Sequence, residues 1–259
     1  MKNKVNEIGG FLLIALVYTL STILAFVTNV SISEVMANYQ FNVLIILIVM
    51  ELFTNLVSMT GIMEVLSIKI SKKSKGNKKI ILVLFGLLMF IISAFLNNIT
   101  AVLMILPIVF VLLKTIGIDK KYLNIFFAII LALSNTGGAS SPIGDFPAIV
   151  IMSSGITSFL EYLLRAFPFF LITSVLLIIW WVLEVKDDKE NSNKKQLAID
   201  ILQSKYKHLV VEKDILIGLM IIFIFMFIAW SIVPQEILPS ELIAVLGYVI
   251  AMLFCAIKK

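Results

Sequence analysis

The sequence predicts an all-α membrane protein, a polytopic helical bundle that contains a re-entrant hairpin and a broken transmembrane helix. Of the 259 residues, 61% are apolar and 14% are charged, whereas soluble domains carry about 25% charged residues. The apolar residues occur in long runs, and lysines are concentrated in some of the polar connectors between them. No soluble core buries this much apolar surface, so we expect lipid to surround most of the chain.

The predicted membrane segments follow the apolar runs in order. These runs are residues 9–28, 41–68, 80–113, 122–159, 166–183, 215–233 and 242–257. The first run has about 20 residues, the length of a spanning helix, and no small-residue cleavage pattern follows it. It is therefore predicted to be a membrane helix rather than a signal peptide.

The lysine-rich connectors predict the orientation of the chain. They are residues 69–79, 114–121 and 186–214, and basic connectors lie on the cytoplasmic side of a membrane. This predicts an inner-membrane protein with a cytoplasmic N-terminus and a cytoplasmic linker at residues 186–214, part of it an amphipathic helix on the membrane surface. The net charge of +5 is then an orientation signal, and no nucleic-acid partner is expected.

Residues 80–113 are predicted to form the re-entrant hairpin. A single helix of this length would be roughly 50 Å long, against a hydrocarbon core of about 30 Å. Lysines flank the run, and its middle reads Asn97-Asn98-Ile99-Thr100, a polar stretch that is costly to expose to lipid. We therefore expect the chain to enter from the cytoplasm, turn at residues 97–100 and return.

Residues 122–159 are predicted to form a broken helix. The first half-helix is expected to end at Gly137-Gly138, and Pro142 and Pro147 oppose a simple continuation. Unwound backbone at membrane depth is tolerated where protein or a water-filled cavity surrounds it. The free N–H groups and carbonyls at such a break bind anions and cations, respectively. Two such breaks meeting in a bundle are typical of secondary transporters.

Several of these polar and small residues also have a purely structural interpretation. Gly137 and Gly138 suit close helix packing. Ser134 and Ser140 suit hydrogen bonds to carbonyls of their own helix. The asparagines at the predicted hairpin turn have no such simple alternative, and a polar tip within a long apolar segment favours a functional role.

Three acids lie within the predicted membrane segments. Asp145 is interpreted as a helix cap or as an ion or proton site, and its depth favours the second interpretation. Glu51 lies near the middle of its run and is interpreted equally as a partner for a neighbouring helix and as a proton carrier. Glu64 lies near the cytoplasmic end, where its side chain is expected to extend toward the interface.

The two polar interruptions resemble motifs of the ion transporter superfamily, in the branch that holds arsenite permeases, sodium–proton antiporter-like permeases and citrate-type carriers. Residues 93–100 read Ser-Ala-Phe-Leu-Asn-Asn-Ile-Thr where that branch has Ser-Ala-Phe-Leu-Asp-Asn-Val-Thr. Residues 134–148 are similar to its Ala-Asn-Ile-Gly-Gly-Thr-Ala-Thr-x-Ile-Gly-Asp-Pro-Pro-Asn motif. The chain departs from these patterns at Asn97, Phe146 and Ala148, and the first departure removes a titratable group.

The resemblance implies an ion and substrate site with two sides. One side is formed by Asn97, Asn98 and Thr100. The other side is formed by Ser134, Asn135, Thr136, Gly137, Gly138 and Asp145, and Ser140 completes the candidate set. A transported cation such as sodium is expected at Asn98 and Asn135, with no resident metal and no cofactor.

The resemblance also implies how the chain is divided. The family fold contains two inverted repeats, each with a hairpin and a broken helix. Residues 1–185 are predicted to form one repeat, residues 186–214 the linker, and residues 215–259 the first two helices of an incomplete second repeat. The chain is accordingly expected to be a fragment, to work with a second half-transporter chain, or to form a homodimer.

The predicted function is secondary active transport of an inorganic ion or small anion across the lipid bilayer, coupled to sodium or protons. The alternative is a non-transporting membrane scaffold or a truncated remnant. An enzyme is not predicted. His208 and Cys255 are the only residues of their types, and no Ser–His arrangement or cysteine nucleophile is placed at depth.

Overall fold

The computed structural model describes residues 15–24, 27, 31, 33–34, 40–185, 196–197, 199–201, 204 and 211–258. The chain forms two compact units, residues 1–41 and 42–259. The first unit contains helix α1, Ala15–Leu24. The other helices are α2 (Phe41–Met59), α3 (Ile62–Ser74), α4 (Lys78–Phe95), α5 (Asn98–Ile116), α6 (Lys120–Ala139), α7 (Phe146–Ser153), α8 (Phe159–Glu184), α9 (Lys213–Ile232) and α10 (Ser240–Lys258).

The predicted all-α polytopic membrane fold is confirmed. Within the part of the chain that the structure describes, seven helices are long and apolar enough to cross a membrane, namely α2, α4, α5, α6, α8, α9 and α10. The predicted first helix, residues 9–28, lies partly outside the described residues, and most of the predicted linker does too. The division of the chain into repeats therefore stays a prediction.

The run predicted as one segment over residues 41–68 is two helices, and this prediction was wrong. Gly61 interrupts it with φ of 73°, a left-handed backbone that glycine adopts without steric cost. Helix α3 then continues to Ser74, so the predicted connector 69–79 is largely helical. Its buried face carries Ser67 and Ser71, whose hydroxyls donate to carbonyls one turn earlier at 2.8 Å. These small side chains let α3 pack closely against α5.

Helices α4 and α5 form a hairpin whose two ends meet. The Lys78 Nζ, at the start of α4, lies 4.0 Å from Asp119 Oδ1, just beyond the end of α5. The Tyr122 hydroxyl, at the start of α6, donates to the Lys78 carbonyl at 2.7 Å. The hairpin turn is shorter than predicted. Asn97 Oδ1 accepts from the N–H groups of Ile99 and Thr100 at 2.9 and 3.2 Å, so Thr100 already lies in the first turn of α5.

The meeting of the hairpin ends leads to a prediction for cysteine labelling. In a Cys255→Ser background, Lys79→Cys and Lys114→Cys are expected to react with a membrane-impermeant maleimide from the same side. Arg165→Cys is the control for the other side. Arg165 is about 28 Å along α8 from Glu184, and Glu184 lines the same pocket as Lys78 and Asp119. Arg165 is therefore far from the two ends of the hairpin. Reaction of positions 79 and 114 from opposite sides would refute the hairpin.

Candidate functional site

The two interruptions of the helices lie against each other. The first is at Leu96-Asn97, between α4 and α5, and the second spans residues 140–145, between α6 and α7. The Ser93 and Ser134 hydroxyls, both buried, are 2.9 Å apart. The Ser141 hydroxyl donates to the Ala94 carbonyl. The end of α4 therefore touches both the end of α6 and the unwound segment after it.

Three polar side chains form a cluster at this junction, and we call Asn98, Asn135 and Asp145 the polar cluster. The Asn98 Nδ2 lies 3.4 Å from Asn135 Oδ1 and 3.5 Å from Asp145 Oδ2. Both distances exceed the usual range of about 2.7–3.2 Å for N–H···O hydrogen bonds. The cluster is thus loosely bonded, and its members are half-buried except Asn135, which is exposed.

Four helix ends surround the polar cluster. Helix α5 begins at Asn98, and α7 begins at Phe146 with the Asp145 carboxylate accepting from its first N–H at 2.8 Å. Helix α4 ends at Phe95 and α6 at Ala139. Helix N-termini carry partial positive charge and free N–H groups, and C-termini carry free carbonyls. Here Asn97 and Asp145 already accept from the first N–H groups of α5 and α7, so the helix ends contribute mainly their partial charges to the junction.

Glycines at the junction are required for space. A Cβ on Gly137 would lie 2.4 Å from the Phe90 carbonyl oxygen. A Cβ on Gly144 would lie 2.5 Å from the Gly138 carbonyl oxygen and 2.7 Å from that of Ser93. Neither glycine has a positive φ. The packing interpretation of Gly137 is thus supported. Helix α6 does not end at Gly137-Gly138 as predicted but continues to Ala139.

Helix α2 holds the hairpin turn through two polar contacts one helical turn apart. The Thr100 hydroxyl donates to Glu51 Oε1 at 2.7 Å. The Asn97 N–H donates to the Thr54 hydroxyl at 3.3 Å. Glu51 Oε2 is buried and has no hydrogen-bond partner among the described residues. Glu51 therefore contacts the predicted site directly, because its partner Thr100 is a predicted site residue in the first turn of α5.

Some predicted site residues do not join the polar cluster. Thr136 faces α8, where its hydroxyl lies 2.8 Å from that of Ser174. Ser140 donates to the Gly137 carbonyl at 2.6 Å, which matches its structural interpretation. Ser134 does not bond within its helix; besides Ser93 it reaches the Asn98 carbonyl at 3.4 Å.

Three polar residues at the junction were missed by the sequence analysis. Ser93 opens the quoted hairpin motif, and Ser141 lies within the second motif, so both were visible as motif positions. Thr54 follows Glu51 by three residues on one helix, and that spacing places both side chains on the same face. Its spacing from Glu51 was the sequence feature that could have identified Thr54 as a neighbour of the site.

Known proteins similar to this chain include several that are named as transporters or as a membrane protein. The family described as citrate transporter (CitMHS) matches residues 5–258. A protein named as an uncharacterized transporter, from Mycobacterium tuberculosis, is 24% identical over 225 residues, which are 86% of this chain and 51% of the relative. The 46 kDa membrane protein of Mycobacterium leprae is 32% identical over 138 residues, 53% of this chain and 32% of the relative.

A human relative matches a shorter part of the chain. The P protein of Homo sapiens is 28% identical over 124 residues, which are 48% of this chain and 14% of that protein. The chain spans about half the length of the tuberculosis relative and a smaller share of the other two.

Proposed function

Because the chain belongs to the citrate transporter family, we propose that it carries out secondary active transport of an inorganic ion or small anion, coupled to sodium or protons. The chain is a multi-pass membrane protein, and we place it in the inner membrane with its N-terminus in the cytoplasm. We propose a carrier rather than an enzyme. The names of the similar proteins agree with this, since they include transporters.

The observation that carries the proposal is the meeting of two chain breaks at the polar cluster. Unwound backbone within a membrane bundle is costly unless protein or a water-filled cavity surrounds it. Here the Ser93 and Ser134 hydroxyls join α4 to α6 at 2.9 Å, and Ser141 of the second break donates to the Ala94 carbonyl near the end of α4. Secondary transporters bind ions and substrates at discontinuous helices of this kind.

The geometry of Asn98 supports a cation at the polar cluster. Its Nδ2 lies 3.4 Å from Asn135 Oδ1 and 3.5 Å from Asp145 Oδ2. Half a turn of the carboxamide exchanges Nδ2 for Oδ1, which brings three oxygen ligands together. We propose sodium as the cation, with the partial positive charge at the N-termini of α5 and α7 attracting the anionic group of a substrate.

The polar cluster is open on one side, and this supports a second half. Asn135 is exposed, as are Ile99 (66%) and Phe146 (54%). We propose that a second set of repeat helices covers this side, from a second half-transporter chain or another copy in a homodimer. In this proposal residues 1–185 form the first repeat, residues 186–214 the linker, and residues 215–259 the start of the second repeat. A scaffold or remnant remains the alternative if nothing covers this side.

Flux through proteoliposomes tests the proposed function. The full chain is reconstituted, and uptake of citrate and arsenite is measured under imposed sodium and proton gradients. We expect gradient-dependent uptake of one solute, reduced about tenfold or more by Asn98→Ala, because a contact with a charged group is lost. Asn124→Ala, at the exposed base of α6, is the matched control and is expected to retain uptake. No gradient-dependent flux of either solute would contradict transport by this chain alone or as a homodimer, and would leave a second half-transporter chain or the scaffold.

A further inference from the structure

Glu51 is the only titratable residue of α2, and it lies about 15 Å from the start of that helix. Its two carboxylate oxygens have different environments. Oε1 accepts the Thr100 hydroxyl at 2.7 Å, whereas Oε2 is buried without a hydrogen-bond partner among the described residues. A buried polar oxygen without a partner costs free energy, and a proton is the smallest ligand that can bind there.

The surroundings of Glu51 favour a proton over a metal cation. A sodium ion requires several oxygen ligands, whereas the hydrogen-bond partner of Glu51 among the described residues is a single hydroxyl, that of Thr100. A proton needs only the free oxygen itself. Glu51 is also separate from the polar cluster, since no hydrogen bond joins it to Asn98, Asn135 or Asp145 among the described residues.

We propose that Glu51 is a proton-binding site that controls the hairpin turn through Thr100. When Glu51 is ionised, it holds Thr100 by a charge-assisted hydrogen bond, and its negative charge lies beside the positive N-terminus of α5. Protonation at Oε2 leaves a weaker neutral hydrogen bond and removes the charge–dipole attraction. Proton binding therefore loosens the turn that carries Asn97 and Asn98. This inference rests on the proposed transport function, in which proton binding at Glu51 is coupled to the polar cluster through the hairpin turn.

The described helices that contact α2 and the hairpin turn carry other titratable groups besides Glu51. On α5 the only one is Lys114, about 21 Å from Thr100 along the helix. Helix α9, whose Phe223 ring contacts the Phe53 ring of α2 at 5.7 Å, carries Lys213 and Asp214 in its first turn. Asp145 is the remaining acid at this end of the hairpin, since it contacts Asn98 in the first turn of α5.

The test measures how readily the hairpin turn reacts with a thiol reagent, without any transported solute. The probe is Ile99→Cys in the Cys255→Ser background, because Ile99 is 66% exposed. Alkylation rates are measured from pH 5 to pH 9 in chains with Glu51 and with Glu51→Gln. Glutamine keeps an oxygen for Thr100 and mimics the protonated acid. The ratio of the two rates cancels the ionisation of the thiol itself.

We expect the chain with Glu51 to react about fivefold more slowly than the glutamine variant at high pH, and equally fast at low pH. Glu64→Gln is the matched control. Glu64 Oε2 is likewise buried without a partner, contrary to its predicted extension toward the interface, yet Glu64 has no hydrogen bond to the hairpin turn. Its variant is expected to leave the rates unchanged. Asp145→Asn is expected not to shift the pH at which the ratio of the two alkylation rates changes.

A second pair of variants keeps the proposal testable if the glutamine variant fails to fold. Thr100→Val is expected to abolish the pH dependence, and Thr100→Ser to restore it. A rate ratio near one at every pH, or a change that follows sodium and not pH, would overturn the proton assignment. If the turn responds to pH but the proteoliposomes show no flux, the proposed function fails while the proton site stands.

Discussion

Asp145→Asn is expected to abolish ion-dependent uptake, or to uncouple it from the ion gradient, while membrane insertion is unchanged. The Asp145 carboxylate caps α7 at 2.8 Å and contacts Asn98 at 3.5 Å. Asparagine caps a helix about as well as aspartate, so the fold is expected to be retained. What is lost is the negative charge at the polar cluster. Removing a charged partner costs about 1.5–3 kcal/mol, or roughly tenfold to a hundredfold in affinity.

The measurement is the sodium and pH dependence of uptake in proteoliposomes, together with the yield of folded protein. Glu161→Gln is the matched control, because Glu161 pairs with the exposed Arg165 at 2.8 Å, away from the cluster. It is expected to change uptake little, since surface ion pairs contribute about 0–1 kcal/mol. Unchanged ion dependence in Asp145→Asn would remove Asp145 from the ion site and leave it only as a helix cap.

Gly137→Ala is expected to disrupt the junction of α4 and α6, two helices in extensive contact. The added methyl group would lie 2.4 Å from the Phe90 carbonyl oxygen and 3.0 Å from its Cα. Backbone atoms inside a helix cannot move aside locally, so the helices must separate. Overpacking of this kind costs about 1–3 kcal/mol or more.

Thermal unfolding in detergent measures this effect, with uptake as the second readout. Gly86→Ala is the matched control in the facing helix. Its added methyl group would lie 2.7 Å from Leu133 Cδ1, at the end of a flexible side chain. It is expected to lower stability by less than about 1 kcal/mol, because the leucine can change rotamer. Equal losses in both variants would show that the glycine at position 137 is not required for close approach.

The membrane fold was predictable from the sequence because its signals are strong and additive. Apolar composition and lysine position do not depend on how helices face each other. The turn near Asn97 was predictable because no spanning helix fits the length of residues 80–113. The break before Asp145 was predictable from Pro142 and Pro147.

The internal geometry of the junction was less predictable. Ser134 and Thr136 have similar chemistry, but the first faces Ser93 and the second faces Ser174. The rotation of α6 about its own axis is set by its packing against α4 and α8, and this rotation decides which hydroxyl faces which helix. The break at Gly61 was missed because an isolated glycine within an apolar run is also compatible with a continuous helix. Its left-handed backbone is visible only in the structure.

The glycine contacts between α4 and α6 limit how the protein can open. Gly137 lies against the Phe90 carbonyl, and Gly144 lies against those of Ser93 and Gly138, so backbone meets backbone with no side chain between. A solvent path along this seam would require α4 and α6 to separate. For the proposed transport we therefore expect access to the polar cluster from alternate sides of the bilayer to come from sliding of the hairpin and the broken helix together against α2. Among the described residues, Glu51 and Thr54 of α2 hold the hairpin turn by hydrogen bonds.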